Sequence, residues 1–173
     1  MRRRSPGEVS IEPATERDIP LILSLIRELA DYERLSHEVV ATEARLREHL
    51  FGERPAAEVV IAYEGADPAG FALYFTSYST FLATPGLYLE DLFVKPSARG
   101  KGIGRQLLMY LARIAVNRNW GRLEWRVLDW NETAVRFYKQ LGAQPMDDWT
   151  IFRLTGDTLE RLATQDGQAG RTR

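Results

Sequence analysis

The stretch LYLEDLFVKPSARGKGIGRQLL, residues 87–108, decides the fold. It begins with an apolar run of strand length, residues 87–94, which the adjacent carboxylates Glu90 and Asp91 interrupt. A basic loop with alternating glycines, residues 95–104, follows, and the apolar residues after it recur at helical spacing. A strand, a glycine-rich loop and a helix N-terminus predict an anion site, because backbone N–H groups and the helix dipole converge there.

Other interpretations of the glycine loop stay open on the residues alone. A flexible loop with a solvated basic tip is common for Gly-x-Gly-x-Gly. The chain lacks the Gly-x-x-x-x-Gly-Lys-Ser/Thr run of a P-loop. A dinucleotide fingerprint needs its first glycine at the strand end, whereas residues 95–99 intervene here and the third glycine comes one residue early. Since Asp129 lies at the end of the next predicted strand, the dinucleotide interpretation is weakened but not excluded.

The composition predicts one globular domain. The chain has 173 residues, of which 45% are hydrophobic and 27% charged. We expect a single domain over residues 1–173, with an ordered core at about residues 8–163 and frayed termini at residues 2–4 and 166–173.

Charge, cysteine content and hydropathy exclude several classes of protein. A net charge of -1 argues against a general nucleic-acid binder. The absence of cysteine removes disulfides, thiolate metal sites and cysteine nucleophiles, and it is compatible with a reducing cytosol. Neither His37 nor His49 belongs to a metal-spacing motif, so we expect no metal. No apolar run reaches the length of a membrane span, and we expect a cytoplasmic protein.

The remaining patterns predict an α/β fold in the order β-α-α-β-β-β-α-β-α-β. The predicted strands and helices are listed in chain order: strand 9–12, helix from the Thr15/Asp18 caps to about 34, helix 42–50, strands 58–63, 71–78 and 87–94, helix 103–118, strand 123–128, helix from the Asn131 cap to Leu141, strand 149–154 and helix 155–163. Turns are predicted at 65–70 and 84–86, and Gly121 is predicted to end helix 103–118. Strands 87–94 and 123–128 should be parallel, because a helix connects them.

Glu90 is a candidate general base. Strand alternation would place Glu90 on one face with Leu92, and Asp91 on the other face with Leu89. Burial of a carboxylate on an apolar strand is costly unless the group is paired or used, and it would raise the pKa of Glu90. The alternative is a structural ion pair between Glu90 and Arg126 of the neighbouring strand. Asp91 is interpreted as structural.

Motifs in the right order resemble a known family. The segment RGKGIG, residues 99–104, resembles the acyl-CoA loop of the GNAT superfamily of N-acetyltransferases, Arg/Gln-x-x-Gly-x-Gly/Ala. Further segments resemble the diamine (spermidine/spermine) acetyltransferase family: ELADYE (28–33), FG (51–52), YLED (88–91), VLDWN (127–131) and FYKQLGA (137–143). VLDWN and YS (78–79) are most similar to the thialysine N-acetyltransferase branch, and the match runs from about residue 11 to 163.

The resemblance implies a GNAT fold, which is a mixed central sheet flanked by helices with splayed parallel strands that bind acyl-CoA. It implies Glu90 as the general base, acting directly or through water, and Tyr138 as the general acid for the leaving thiolate. The implied acetyl-CoA-binding residues are Leu92, Phe93, Val94, Arg99, Gly100, Lys101, Gly102, Ile103, Gly104, Arg105, Asn131, Glu132, Thr133, Ala134 and Tyr138. Backbone of residues 92–94 would bind pantetheine and donate to the oxyanion. The alternative for Tyr138 is a core aromatic beside Phe137.

The resemblance also implies an amine substrate with a second positive charge. The implied substrate-binding residues are Tyr32, Glu33, Glu90, Glu124, Trp125, Arg126 and Asp148. The alternative for Tyr32 and Glu33 is a solvated helix end. In the family an acidic residue precedes the tryptophan that matches Trp149. Here the segment PMDDW is shorter, and the alternatives are that Asp147, Asp148 or neither takes that place.

The sequence therefore predicts an acetyl-CoA-dependent N-acetyltransferase, acting by direct attack on a small diamine, a polyamine or a thialysine/lysine-like amine. The alternatives are a protein or peptide N-acetyltransferase, a non-catalytic CoA-binding module and a nucleotide-binding protein. The resemblance implies a homodimer. From the net charge and the lack of a long apolar run, we expect no nucleic-acid or membrane partner. The aromatic segment 74–81 would serve either as a dimer contact or as core.

Overall fold

The computed structural model describes residues 7–164, so the termini expected to fray, residues 2–4 and 166–173, lie outside the described part. The chain divides into two compact units, with the boundary between Arg126 and Val127. The first unit contains the sheet and three α-helices, and the second contains two α-helices.

The first unit is built on a five-stranded mixed sheet with the sequential order β1-β2-β3-β4-β5. Its strands are β1 (Val9–Pro13), β2 (Glu58–Glu64), β3 (Asp67–Ser79), β4 (Thr84–Val94) and β5 (Leu123–Trp125). Strands β1 to β4 pair antiparallel with their neighbours, whereas β4 and β5 pair parallel. The predicted mixed sheet and its parallel pair are confirmed.

Three α-helices of the first unit follow the predicted apolar spacing: α1 (Ile19–Tyr32), α2 (Glu43–Phe51) and α3 (Ile103–Asn117). Pro20 lies in the first turn of α1, where its missing N–H costs nothing. Thr42 caps α2 by accepting a 3.3 Å hydrogen bond from the backbone N–H of Arg45. All three helices are confirmed.

The core lies between the sheet and the helices that pack on it. One cluster joins α1 and α2 to strands β2, β3 and β4; its members are Ile22, Leu25, Leu29, Leu50, Val59, Ile61, Phe71 and Phe93. Helix α3 packs against β4 and β3 and buries the stripe that its spacing predicts: Ile103, Leu107, Leu108, Leu111 and Ala115. This packing holds the end of β4, and the loop after it, on a rigid base.

The parallel ladder between β4 and β5 is short. Their register consists of three pairs, from Leu87 with Leu123 to Leu89 with Trp125. Strand β5 ends there, so the predicted strand 123–128 is too long, whereas β4 continues to Val94.

The predicted turn at residues 84–86 is wrong. These residues belong to β4, with Thr84 opposite Ser79 and Gly86 opposite Ser77, and the turn lies at residues 80–83. A Cβ on Gly86 would come within 2.9 Å of the Ser77 Oγ. The glycine at residue 86 therefore permits a close approach of neighbouring chain segments and does not form a turn.

Two other predicted chain breaks also differ. Asn119, with a φ of 56°, adopts the left-handed conformation after α3, where the sequence predicted a cap at Gly121. Gly121 instead donates its N–H to the Pro85 carbonyl at 2.9 Å, which joins the start of β5 to β4. The turn predicted at residues 65–70 is shorter than expected, because β3 already pairs from Asp67.

The second unit contains α4 (Glu132–Gln140) and α5 (Gly156–Thr164). The Asn131 side chain caps α4 by accepting a 3.2 Å hydrogen bond from the backbone N–H of Ala134. Both predicted helices are confirmed. The predicted strand 149–154 is wrong, because these residues have no regular secondary structure. Among the described helices, none is long and apolar enough to cross a membrane.

Candidate active site

A β-bulge lies in the second half of β4. Leu73 of β3 pairs with Asp91, and the next residue, Tyr74, pairs with Leu89, so Glu90 is the extra residue in the register. Residues that pair across two strands share a face. Asp91 and Leu89 therefore lie on opposite faces, and the alternation predicted from the sequence is wrong, because the bulge shifts it by one residue.

Burial falls on Asp91 rather than on Glu90. Glu90 is exposed, so the prediction that it is buried is wrong. Burial raises the pKa of Asp91 to about 6, and the negative charges of Glu90 and Glu33 add to the rise, while Arg126 opposes it. Near neutral pH the bulge thus combines an exposed carboxylate with a largely buried carboxyl group that ionises reluctantly.

Glu33 brings a third carboxyl group to the bulge from the end of α1. It caps this helix, and its backbone N–H donates to the Leu29 carbonyl at 2.9 Å. Partial burial raises the pKa of Glu33, and its charge acts on Asp91. We call Glu33, Glu90 and Asp91 the acidic group. The negative end of the α1 dipole adds to its potential, so the group favours a cation.

Glu90 forms the ion pair with Arg126 that the residues alone offered as an alternative. The Arg126 Nη2 lies 3.3 Å from the Glu90 Oε1, and the guanidinium lies 5.9 Å from the centre of the Tyr88 ring. The side chains of both ion-pair partners are about 40% exposed. Since exposed ion pairs are weak, an incoming cation competes for Glu90 at little cost.

The loop after β4 has the backbone geometry of an anion site. Gly100 and Gly102 have φ values of 78° and 77°, and Gly102 directly precedes α3. The first backbone N–H groups of a helix, here those of Ile103 and the residues after it, have no intrahelical acceptor. A Cβ added at Gly100 or Gly102 would meet nothing within 4 Å, so the space above both glycines is open. This loop, which we call the cradle, can therefore bind an anion.

The basic side chains of this loop have different partners. The Lys101 Nζ lies 2.7 Å from the Glu64 Oε1 on β2. The Arg99 guanidinium lies 4.3 Å from the centre of the Tyr32 ring. Arg105, in the first turn of α3, has no ion-pair partner within residues 7–164. The loop therefore offers backbone N–H groups and Arg105 to an anion, while Lys101 and Arg99 also bind other parts of the first unit.

The implied substrate residues on and after β5 lie beside the bulged strand. Glu124 pairs in register with Tyr88, and Trp125 pairs with Leu89. Both therefore pair with the two residues of β4 that directly precede the bulge residue Glu90. The Glu124 carboxylate is 2.7 Å from the Arg122 Nε, and Arg126 binds Glu90. The structure thus brings Arg126 to Glu90.

Other candidate residues belong to the second unit. Asn131, Glu132, Thr133 and Ala134 form the capped start of α4, as predicted. Tyr138 lies on the same helix, and its ring centre is 5.3 Å from that of Phe137. Asp147 and Asp148 are exposed in the segment before Trp149. The roles of Tyr138 as acid and Asp148 as substrate ligand stay predictions.

A family comparison identifies the fold and the class of reaction. The model of the acetyltransferase (GNAT) family matches residues 23–143, which include most of α1, the bulged strand, the glycine loop and α4. The chain belongs to the GNAT acetyltransferase family. It is an N-acetyltransferase, and its relatives act on amines.

Three relatives extend this match over most of the chain. The thialysine N-ε-acetyltransferase of Bos taurus is 42% identical and covers 90% of this chain and 97% of its own. The L-ornithine N5-acetyltransferase of Arabidopsis thaliana is 35% identical, with coverages of 88% and 86%. A solved integron cassette protein of V. cholerae has a TM-score of 0.77 at 33% identity and covers 90% of this chain and 98% of its own. The predicted resemblance is confirmed.

For this N-acetyltransferase, two features of the site were missed from the sequence. Asp91 belongs to the acidic group, and its place there depends on the bulge, which arises from pairing with β3. The contact of Arg99 with Tyr32 joins residues that are far apart in the chain, and neither local pattern signals it. Within residues 7–164, no group of three or more histidine or acidic side chains is arranged to hold a metal ion.

Proposed function

We propose that this N-acetyltransferase transfers the acetyl group of acetyl-CoA to a primary amine of a small diamine, a polyamine or a thialysine/lysine-like substrate. The observation that carries the proposal is the acidic group: Glu90 and Asp91 lie at the bulge of β4, and Glu33 lies at the C-terminal end of α1. Three carboxyl groups beside a helix C-terminus favour a substrate with two positive charges over one with a single charge. The thialysine and ornithine acetyltransferases named above support this substrate class.

Glu90 serves as the general base in this proposal. An aliphatic ammonium has a pKa of about 10, so it must lose a proton before its nitrogen can attack. Glu90 is exposed and held by a weak ion pair, so it is accessible to the ammonium or to a water molecule between them. Arg126 then acts as the resting partner that orients Glu90.

The end of β4 and the loop after it hold the donor. Acetyl-CoA supplies the acetyl group as a thioester when it is bound. Backbone groups of Leu92, Phe93 and Val94 bind the pantetheine, and one of their N–H groups donates to the oxygen on which charge develops. The pyrophosphate lies against residues 100–105, and Asn131, Glu132, Thr133 and Ala134 bind the CoA arm.

Tyr138 donates a proton to the leaving thiolate in this proposal. A phenol, with a pKa of about 10, is a suitable donor to a thiolate that forms near neutral pH. We also propose that the two units are parts of one N-acetyltransferase domain over residues 1–173. The family match supports this, because residues 23–143 cross the boundary between Arg126 and Val127.

The partner chain in this proposal is a second copy. Of the aromatic segment 74–81, Tyr74 is buried as core, whereas Phe81 is 95% exposed at the tip between β3 and β4. Tyr78 and Leu82 beside it are also exposed, and such an apolar tip is suited to a contact between copies. Light scattering of the wild type and of Phe81→Ser tests the proposal, which predicts a dimer that weakens in the variant.

The function is tested with a panel of amines and acetyl-CoA in a thiol-release assay. The panel contains thialysine, ornithine, diamines, polyamines, monoamines of matched length and a lysine-containing peptide. We expect the dicationic small amines to have the highest kcat/KM. No turnover of any amine, despite binding of acetyl-CoA, would favour a non-catalytic CoA-binding module, and turnover of the peptide alone would favour a protein acetyltransferase.

Glu33→Gln sharpens the same assay. The amide keeps the shape of the side chain and removes its charge, so we expect the KM for dicationic amines to rise about tenfold while that for monoamines changes little. Glu48→Gln is the matched control, because Glu48 is an exposed glutamate of α2 outside the site. Equal losses for both classes of amine in Glu33→Gln would contradict the role of Glu33 in recognising the second charge.

A further inference from the structure

Arg99 belongs to the loop that is proposed to bind the donor, and its side chain contacts the end of the helix that is proposed to recognise the amine. Its Nε donates a 3.0 Å hydrogen bond to the carbonyl oxygen of Val94, which is the last residue of β4. Its guanidinium lies 4.3 Å from the centre of the Tyr32 ring and 5.9 Å from that of Phe93. Tyr32 is the last residue of α1, next to Glu33.

We propose that Arg99 is a positioning residue for the amine substrate, which acts by holding the Tyr32 ring in place. This inference rests on the proposed function, in which Tyr32 and Glu33 recognise the amine. It assigns to a residue of the glycine loop a second role, on the amine side of the reaction, besides its expected role toward acetyl-CoA.

The geometry supports this role because Arg99 is anchored at two points. The hydrogen bond to Val94 fixes the guanidinium edge to the end of a packed strand, and the guanidinium plane remains available to stack on an aromatic ring. A lysine keeps the positive charge but has neither the Nε donor nor the planar group. The Arg99→Lys variant therefore separates positioning of Tyr32 from attraction of an anion.

The position of the Tyr32 ring depends on contacts such as the one with Arg99. Helix α1 ends at this residue, and the chain after it leaves the helix, with Arg34 at a φ of 62°. The ring is 37% exposed, so the surrounding core does not fix it alone. A ring at this point also lies beside Glu33, so a shift of Tyr32 changes the surface that the amine meets.

A double-mutant cycle on kinetics tests the proposal. Arg99→Lys and Tyr32→Leu are compared singly and together, with an amine that the wild type acetylates. We expect each single variant to raise the amine KM by about two- to fivefold, which is the range of a part-exposed cation–π contact. The double variant should show no more than the larger single effect, because Arg99 acts through the ring, and kcat should change less than the amine KM.

A second background separates the ring from its hydroxyl. Tyr32→Phe keeps the face on which Arg99 stacks, so Arg99→Lys should raise the amine KM by the same factor in this background as in the wild type. Arg105→Lys is the matched control, because it makes the same substitution in the same loop. It should affect the KM for acetyl-CoA and leave the amine KM unchanged. Thermal melts verify that each variant is folded.

The outcomes separate this inference from the proposed function. Multiplicative effects of Arg99→Lys and Tyr32→Leu on the amine KM would overturn it, and so would a rise in the acetyl-CoA KM with no change in the amine KM. Either result, with the wild type still acetylating amines, leaves the proposed function standing. No amine turnover by the wild type would overturn the proposed function and this inference together.

Discussion

The two sides of β4 are built by different means. On the donor side, the loop of residues 99–105 offers backbone N–H groups, two glycines with positive φ and the start of α3. On the acceptor side, the acidic group consists of side chains that come from α1 and from the bulge of β4. The donor side therefore depends on local backbone conformation, whereas the acceptor side depends on tertiary contacts. Substitution of acceptor-side side chains can therefore change which amine is bound without changing the backbone conformation of the donor loop.

The largest effect is expected on the acceptor side, from Glu90→Gln. The amide cannot accept the proton of the ammonium, and we expect kcat to fall by about 100-fold or more at neutral pH. Thiol release over a range of pH is the measurement, because loss of a general base also removes the rise of kcat with pH that its ionisation causes. The acetyl-CoA KM should stay within about threefold of the wild type.

The control for this variant is Glu48→Gln, an exposed glutamate of α2. If Glu90→Gln retained kcat within about threefold of the wild type, the base would be another group, and the ion pair with Arg126 would be the whole role of Glu90. In that case the acceptor side would recognise the charge of the amine but would not supply the base.

The sequence predicted the strand, glycine loop and helix of the donor side because their signals are local. Alternating glycines, flanking basic residues and the apolar spacing after Ile103 all lie within one short stretch. The acceptor side was predicted in part: Glu90, Glu33 and Arg126 were named, but burial was assigned to Glu90 instead of Asp91. The bulge that causes this error depends on pairing with Leu73 and Tyr74, which no pattern in β4 records. Gly86 was misinterpreted for a related reason, since its close neighbours come from β3 and the start of β5.

A second prediction concerns the stability of the acceptor side against pH. The pKa of Asp91 in the folded protein, about 6, is above its ordinary value of 3.8, so the folded state disfavours the ionised form. The contribution of Asp91 to the unfolding free energy should therefore be greatest below about pH 4. It should fall as the pH rises through about 6. Asp91→Asn removes that loss, which is at most about 3 kcal/mol.

Urea unfolding of the wild type and Asp91→Asn at several pH values checks this. We expect the variant to gain stability relative to the wild type as the pH increases from about 4 to about 7.5. A difference between the two proteins that does not change with pH would mean that Asp91 ionises in the folded state as readily as in the unfolded chain. Asp91 would then be more exposed to water in solution than the structure indicates.

The third prediction tests whether the donor side depends on backbone conformation. Gly102→Ala places a Cβ in open space, so the variant suffers no steric clash, but the residue keeps a φ that costs a non-glycine residue about 1–2 kcal/mol. We expect the KM for acetyl-CoA to rise about five- to tenfold, because the strained cradle relaxes away from the left-handed conformation. The amine KM should change little.

Gly156→Ala is the matched control for this strain. Gly156 also has a positive φ, 52°, and open space around its Cβ, but it lies at the start of α5 outside the predicted site. A similar loss of thermal stability without a change in the acetyl-CoA KM would identify the effect of Gly102→Ala as one on the cradle. Equal kinetic effects in both variants would show that the strain acts on the whole fold.

The smallest effect should separate the cations of the donor loop. The Lys101 ammonium lies 2.7 Å from Glu64, so a phosphate must compete with a carboxylate for it, whereas Arg105 has no ion-pair partner within the described residues. We expect Arg105→Gln to raise the acetyl-CoA KM about three- to tenfold, and Lys101→Gln to raise it less than about twofold. Measurements at low and high salt check the assignment, because a direct contact between Arg105 and the anion weakens as salt increases. If Lys101→Gln had the larger effect, the ion pair with Glu64 would break when the donor binds, and the donor side would depend on side chains as the acceptor side does.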